Sequence, residues 1–261
     1  MKKINVIIPN YNYGKYLETC LLSVFVQRCS PDIEILVSDD NSSDQSLGVL
    51  KRMKKFYENE KIKLNFFEAD TNKGEVENTC FLLDRCEGDY IAYLDADDYW
   101  IDPYKLQKQF DFMEQNPEYS LCFTGNLKLI ETEGYVPHAE GDFWLGPPNE
   151  YSPEEIGEPD FIAKKQNCIT SSSRFFRNYT DLAQRDFFSK FGYSDWALTY
   201  ELSLRGKIKS MPYPGFVYRV HPGSLSTISN PGVDMQKWRS EIEKIFEDRK
   251  TQYQASVLPI V

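Results

Sequence analysis

Three carboxylates crowd into four positions in Asp95-Ala96-Asp97-Asp98, where the apolar run Tyr90-Ile91-Ala92-Tyr93-Leu94 ends. In an extended segment Asp95 and Asp97 point to the same side. Like charges held that close repel, and partial desolvation adds to the cost. Such a cluster either takes up protons or holds a divalent cation. A solvated acidic turn is the alternative, because Asp is also ordinary turn chemistry. Two more polar clusters follow apolar runs in the same way: Asn10-Tyr11-Asn12 after Val6-Ile7-Ile8-Pro9, and Ser38-Asp39-Asp40-Asn41 after Ile33-Glu34-Ile35-Leu36-Val37.

An alternation of strands and helices must position these clusters. Val6 to Ile8 reads as a buried strand, and Lys15 to Gln27 as a helix with Leu17, Leu21, Val24 and Phe25 along one stripe. Ile33 to Val37 and Ile62 to Phe67 read as strands, with a helix from Asp44 to Tyr57 between them. A helix from Glu75 to Cys86 precedes the strand Tyr90 to Leu94, which delivers the aspartates. That order predicts a mostly parallel sheet with right-handed crossovers, an α/β fold. Ligands of such sheets sit beyond the strands' carboxyl ends, so three separate loops are expected to build one site.

The second half is less regular. Pro103 to Gln115 reads as a helix with Pro at its favoured first position, and Tyr119 to Thr124 as a strand. Residues 130–166 are acidic and rich in Pro and Gly, which predicts a long loop of the kind that binds ligands. Cys168 to Phe176 reads as a returning strand, and Trp196 to Arg205 as a helix closed by Gly206. Ile208 to Val220 reads as a bent strand pair broken at Pro212-Tyr213-Pro214-Gly215. Asp234 to Lys250 reads as an amphipathic helix that either covers the core or mediates a homodimer.

The 261 residues, 41% of them hydrophobic, suffice for one large globular domain with appendages. A net charge of -10 argues against a nucleic-acid partner. An anionic ligand would need a bound cation, helix-terminal amides or a few placed basic residues. The amino terminus lacks a signal-peptide pattern, no membrane-length apolar run occurs, and the six cysteines form no Cys-x-x-Cys pair. A reducing, cytoplasmic setting is expected. Lys51-Arg52-Met53-Lys54-Lys55 reads as a solvated helix face, with peripheral contact at the inner face of a membrane as the alternative.

In order along the chain, Val6-Ile7-Ile8-Pro9-Asn10-Tyr11-Asn12, Ser38-Asp39-Asp40-Asn41-Ser42-Ser43-Asp44, Asn72-Lys73-Gly74, Leu94-Asp95-Ala96-Asp97-Asp98 and Tyr218-Arg219-Val220-His221-Pro222-Gly223-Ser224 resemble the motifs of family 2 glycosyltransferases of the GT-A fold. The resemblance runs from Val6 to about Ser226. It implies a Rossmann-like, mostly parallel sheet flanked by helices. Residues 1–125 would be the nucleotide-binding half, 126–230 the acceptor-binding half and 231–261 a C-terminal helix and tail. It places Pro9, Tyr11 and Asp39 around a uracil-type base, with Asp39 accepting the base's imide N–H, a task for an acceptor-only carboxylate. Lys73 would approach the nucleotide and Asp95 the ribose. Asp97, Asp98 and His221 fall on the metal side, where Mn2+ or Mg2+ would bridge to the donor diphosphate. Arg219 and Ser224 belong to the segment closing over that diphosphate. Ser194-Asp195-Trp196 resembles the family's acidic pair before Trp, which makes Asp195 the general base.

Each assignment has a plainer counterpart. Asp39 and Asp40 suit a turn before a helix capped by Asp44, Asp195 suits a helix N-cap, and Lys73 and His221 suit solvated loops. Two positions depart from the family's pattern: Thr79-Cys80 stands where an Arg-Asn pair is common, removing an ion partner, and Ser194 stands where an acid is expected. Gln236-Lys237-Trp238-Arg239 lacks the order found in processive synthases. The resemblance implies an inverting, metal-dependent transferase. It would move one sugar from a nucleotide-sugar, a UDP-sugar by preference, to a hydroxyl of a glycan or lipid-linked glycan in polysaccharide biosynthesis. The alternatives are a sugar-phosphate nucleotidyltransferase, disfavoured because no Gly-rich phosphate loop follows the first strand, and a silent carbohydrate-binding scaffold using aromatics such as Tyr99, Trp100, Phe143, Trp144 and Trp196.

Overall fold

The computed structural model describes residues 2–131, 138–144, 159, 162–163, 169–224 and 235–257, with the backbone alone described for 138–144 and 235–240. Its first half alternates as the apolar pattern dictates. The elements are β1 (Lys3–Asn10), α1 (Gly14–Phe25), β2 (Asp32–Asp39), α2 (Ser46–Tyr57), β3 (Ile62–Glu68), α3 (Glu75–Leu83) and β4 (Tyr90–Tyr93). These strands pair in parallel in the order β3-β2-β1-β4. Alternate residues feed two cores. Ile4, Val6, Ile8 and Ala92 meet Leu17, Leu21 and Met53 on one face, while Ile7, Leu36, Ile91 and Tyr93 line the other. Each such fully buried aliphatic side chain contributes roughly 1.5–3 kcal/mol.

Beyond β4 the sheet turns mixed. The chain continues through β5 (Tyr99–Trp100), α4 (Lys105–Gln115), β6 (Tyr119–Ile130), β7 (His138–Trp144), β8 (Arg174–Arg177), α5 (Arg185–Phe188), α6 (Ser194–Arg205), β9 (Lys207–Val220) and α7 (Met235–Val257). β8 runs antiparallel to β4 and to β6, β9 lies parallel to β6, and β5 closes the edge antiparallel to β9. This half brings three corrections. β6 extends to Ile130 because its second half pairs with both β9 and β7, so the expected loop over 130–166 holds a strand at His138–Trp144. The expected strand pair over 208–220 is one continuous strand. Its register with β6 jumps from Thr124↔Met211 to Gly125↔Pro214 and Asn126↔Phe216, because prolines cannot donate to the ladder and are carried in a bulge. Gly215 is required there, since a Cβ would sit within 2.3 Å of Thr124 Oγ1. Cys168 and most of the expected loop lie outside the described residues.

The C-terminal helix covers the core. Ile242 and Phe246 of α7 are buried among Phe187, Phe191, Trp196 and Tyr200. The Tyr200 hydroxyl donates to Phe246 O at 2.9 Å, and Arg249 pairs with the enclosed Glu201. Among the described residues no helix is long and apolar enough to cross a membrane.

Candidate active site

The loops after β1 and β2 are tied to each other before any ligand is considered. Asn10 and Asp39 are register partners at the carboxyl ends of their strands. Asn10 Nδ2 donates to Asp39 Oδ1 at 2.6 Å, and Ser42 N donates to Asp39 Oδ2 at 3.0 Å. Asp39 is fully enclosed, so its direct contacts are with these two loops. Asp40 Oδ1 and Oδ2 each accept at 2.8 Å, from Lys73 N and Gly74 N. The positive φ of Gly74, +89°, suits glycine at this turn before α3. Asp44 accepts from Gly14 N, the first residue of α1, and from Ser46 N and Oγ, the first residue of α2. The turn role is therefore occupied by Asp40 and Asp44. Tyr11 remains 47% exposed at the mouth of these loops, Pro9 is half-buried, and the Lys73 side chain is exposed.

The aspartate cluster sits one strand away. Ser172, from the short 3₁₀ turn Ser171–Ser173, accepts from Asp95 N at 3.0 Å and donates to Asp98 Oδ2 at 2.6 Å. Asp98 Oδ1 accepts from Arg219 N at 2.8 Å. Both Asp98 oxygens are thus engaged inside the protein, and Asp98 fastens the end of β9 to the turn. Arg219 Nε donates to Asp97 O at 2.8 Å, and its Nη1 pairs with Glu131 Oε1 at 2.5 Å. Its guanidinium also lies over the rings of Tyr16 and Tyr99. That grip delivers His221, whose Nε2 stands 3.1 Å from Asp97 Oδ2. The imidazole is buried against Tyr13 and Tyr16. Ser224 N closes the turn onto His221 O, and Ser224 is buried. His221 is therefore an enclosed partner of Asp97 rather than a solvated loop residue.

Crowding has the electrostatic effect its spacing implies. Burial, followed by the Asp97 charge, pushes the Asp95 carboxyl up to about 8. Burial, then Asp97 and Asp95, raises Asp98. Among the described residues no three His, Cys, Asp or Glu side chains are grouped as metal ligands, and no Lys or Arg pairs with the Asp97 carboxylate. An enclosed Asp-His pair beside carboxylates that resist ionisation fits a hard divalent cation completing its shell with phosphate and water.

A second polar group lies on the face shared by Tyr93, α3 and α6. Half-buried Asp195 opens α6 in its first turn and accepts from Trp196 N at 2.6 Å. Glu75, the first residue of α3, accepts from Ser194 N at 2.7 Å, from Ser194 Oγ, and from Thr79 Oγ1 at 3.0 Å. Thr79 also bonds the Tyr93 hydroxyl. Burial raises the Glu75 carboxyl against the pull of its Ser194 bonds. Arg174, the first residue of β8, is fully buried; its Nη2 donates to Ile169 O, and its Nε and Nη1 have no partner among the described residues. Burial draws its guanidinium below the ordinary value, opposed by Asp195 first, then Tyr93, Asp95 and Glu75.

Sequence reasoning missed Glu75, Glu131, Ser172 and Arg174. Two of them had a signal: Ser194 in place of an acid called for a carboxylate from elsewhere, and an arginine beside the apolar pair Phe175-Phe176 is costly to bury. Glu131 gathers Lys15, Tyr16 and Arg219 over 88 to 116 residues of separation, which no local pattern reveals. Burial works against its ionisation, yet bonds from Tyr16, Arg219 and Lys15 hold it below the usual range.

A parallel first half joined to a mixed sheet, with aspartates at the end of β4 and a carboxylate opening α6, defines a GT-A glycosyltransferase fold. Residues 5–179 match the Glycosyl transferase family 2 profile, and the chain belongs to that family. An uncharacterized glycosyltransferase of Nostoc sp. is 42% identical over 162 residues, 56% of this chain and 48% of its own. TuaG of Bacillus subtilis, a glycosyltransferase named for teichuronic acid biosynthesis, is 34% identical over 131 residues, 50% of this chain and 49% of its own. The chain spans about half the length of these curated relatives. Among solved structures, Staphylococcus aureus TarS 1–349 in complex with UDP aligns at TM-score 0.62 and 19% identity, over 98% of this chain and 70% of that one. The mannosyltransferase PcManGT of Pyrobaculum calidifontis, in complex with GDP-Man and Mn2+, aligns at TM-score 0.57 and 13% identity, over 95% and 64%.

Proposed function

We propose that this chain is an inverting, single-addition glycosyltransferase of cell-surface polysaccharide biosynthesis. It would take one sugar from a UDP-sugar and place it on a hydroxyl of a glycan or lipid-linked glycan. The observation that carries the reading is the paired arrangement of Asp97 with His221 and of Asp195 at the start of α6, reached from the same end of the sheet. The names of TuaG and of the TarS–UDP complex support the polysaccharide class and the uridine nucleotide.

Tyr11 offers a half-exposed ring for a base to stack on, Pro9 shapes the floor, and Asp39 holds the surrounding loops. Lys73 stands at the rim of the same loops. Asp97 and His221 would hold Mn2+ or Mg2+, which when bound neutralises the diphosphate and eases departure of the nucleotide. The segment Arg219 to Ser224, held by Asp98 and Glu131, covers the diphosphate and excludes water. Asp195 takes the proton of the acceptor hydroxyl while its oxygen bonds to the anomeric carbon. The bond from that carbon to the diphosphate oxygen breaks on the opposite side, so an alpha-linked donor yields a beta linkage. A positioned base of this kind contributes roughly 10²- to 10⁴-fold.

Asp195→Asn tests the assignment. Transfer is expected to disappear with UDP-sugar binding retained, and a variant with normal turnover would overturn the base. Donor hydrolysis that needs a divalent cation separates this reading from a silent scaffold.

A further inference from the structure

The basic run Lys51 to Lys55 divides in the structure into residues that serve the fold and residues that do not. Lys54 serves it: its Nζ donates to Leu64 O at 2.5 Å and pairs with Glu58 at 3.4 Å, tying α2 to β3. Arg52 reaches Glu18 of α1 at 2.6 Å from an exposed position. Among the described residues Lys51 and Lys55 meet no carboxylate. Lys55 Nζ lies instead 5.2 Å from the centroid of the Phe56 ring. Gly48, Lys51, Arg52, Lys55 and Phe56 recur at helical spacing and are all exposed. α2 therefore turns outward a stripe that carries three basic side chains, one phenyl ring and no acid.

Apolar surface gathers where that stripe ends. Met53 is the last buried residue of α2, and Phe56 and Tyr57 beyond it are 67% and 42% exposed. Tyr57 meets Phe25, the last residue of α1, with ring centroids 5.7 Å apart, and Val26 beside Phe25 is 57% exposed. Two adjacent helix ends thus share an apolar spot edged by ammonium groups. The charge around it is equally one-sided. Residues 51–63 hold six basic residues against two acidic ones, in a chain whose net charge is -10.

A partner must match both features. Nucleic acid would match the charge, but it leaves Phe56 and Val26 without a role, and the rest of this acidic chain repels it. A symmetric pairing with a second copy would set one basic stripe against another. The interface of an anionic bilayer offers phosphates to the basic groups and an acyl boundary to the rings. We propose that the outward stripe of α2, together with the adjoining end of α1, is a docking surface for an anionic phospholipid membrane. Lys51, Arg52 and Lys55 engage the headgroups, and Phe56, Tyr57 and Val26 enter the acyl boundary. α1 and α2 both start after the loops that carry Asn10 and Asp39 and run about 18 Å toward the opposite edge of the sheet. The contact therefore lies away from the strands' carboxyl ends and leaves the candidate site open.

This contact is independent of the transferase reading, and its test needs no turnover. The full chain is sedimented with vesicles of phosphatidylcholine alone and of phosphatidylcholine mixed with phosphatidylglycerol, at low salt and at about 0.5 M salt. Binding is expected to the mixed vesicles and not to phosphatidylcholine alone, and it should fall at the higher salt. The double substitution Lys51→Gln with Lys55→Gln should weaken binding about tenfold or more, and each alone about fivefold. Phe56→Ser should weaken it about fivefold while leaving its salt dependence in place. All variants are expected to keep the parent's unfolding midpoint, and the single substitutions decide the matter if the double one loses the fold. No binding to the mixed vesicles would overturn the proposal. Binding unchanged either by the lysine substitutions or by Phe56→Ser would equally overturn it, by moving the contact elsewhere. Self-association that depends on Phe56, without vesicle binding, would overturn it in favour of a second copy.

Discussion

The loops after β1 and β2 and the polar group between α3, β8 and α6 are both built from buried charge, but they are finished differently. In the first, Asp39, Asp40 and Asp44 each accept two or more bonds from backbone or side chains of neighbouring loops. In the second, Glu75 is engaged, whereas Arg174 has two nitrogens unmet among the described residues and Asp95 resists ionisation. Carboxylates that close on the protein are architecture, and they fix the shape of a binding edge. Charges left open carry a standing cost, which a ligand removes. Substitutions in the two regions should therefore fail in different ways, one in stability and the other in turnover.

The largest effect is expected on the open side. Asp195→Asn should lower turnover roughly 10²- to 10⁴-fold, read as steady-state kcat, with the unfolding midpoint unchanged. A large loss of stability instead would place Asp195 with the architecture. On the closed side, Asp40→Ala strips the acceptor from Lys73 N and Gly74 N and should cost about 1–3 kcal/mol in denaturant unfolding. If it lost activity at full stability, the division between the regions would fail.

A pH series sharpens the same contrast. The Asp95 carboxyl, at about 8 in the folded chain, lies above its ordinary unfolded value near 4. Between those values the folded chain binds more protons than the unfolded one, so this group's stabilising contribution is present at low pH and lost as pH rises toward 8. Its slope approaches about 1.4 kcal/mol per pH unit. Calorimetric unfolding across that window in EDTA should show the decline, and both Mn2+ and Asp95→Asn should flatten it. A slope unchanged by either would mean that Asp95 is not the titrating group. The smallest effect is expected at exposed Lys73, where Lys73→Ala should change UDP affinity by less than about threefold.

Legibility in the sequence tracked locality. The parallel half was readable because Val6-Ile7-Ile8 and Ile33 to Val37 are apolar runs each followed by a polar turn, and those runs are β1 and β2. Even the meeting of Asn10 with Asp39 followed from strand order. The second half was harder because β6 and β9 pair in parallel around a proline bulge, and β5 is only two residues long. In the site, residues belonging to contiguous motifs were visible, such as Asp97 and Asp98. Those recruited across the fold were not: Ser172 reaches Asp98 over 74 residues, and Glu75 reaches Ser194 over 119. The two departures at Thr79 and Ser194 were readable as gaps, but only the fold brings Arg174 and Glu75 to the same face.

Titration of UDP into the chain with and without Mn2+, repeated on Asp97→Ala, tests the donor site most directly. The account predicts binding that depends on Mn2+ and disappears in the variant. UDP binding indifferent both to Mn2+ and to the loss of Asp97 would contradict it.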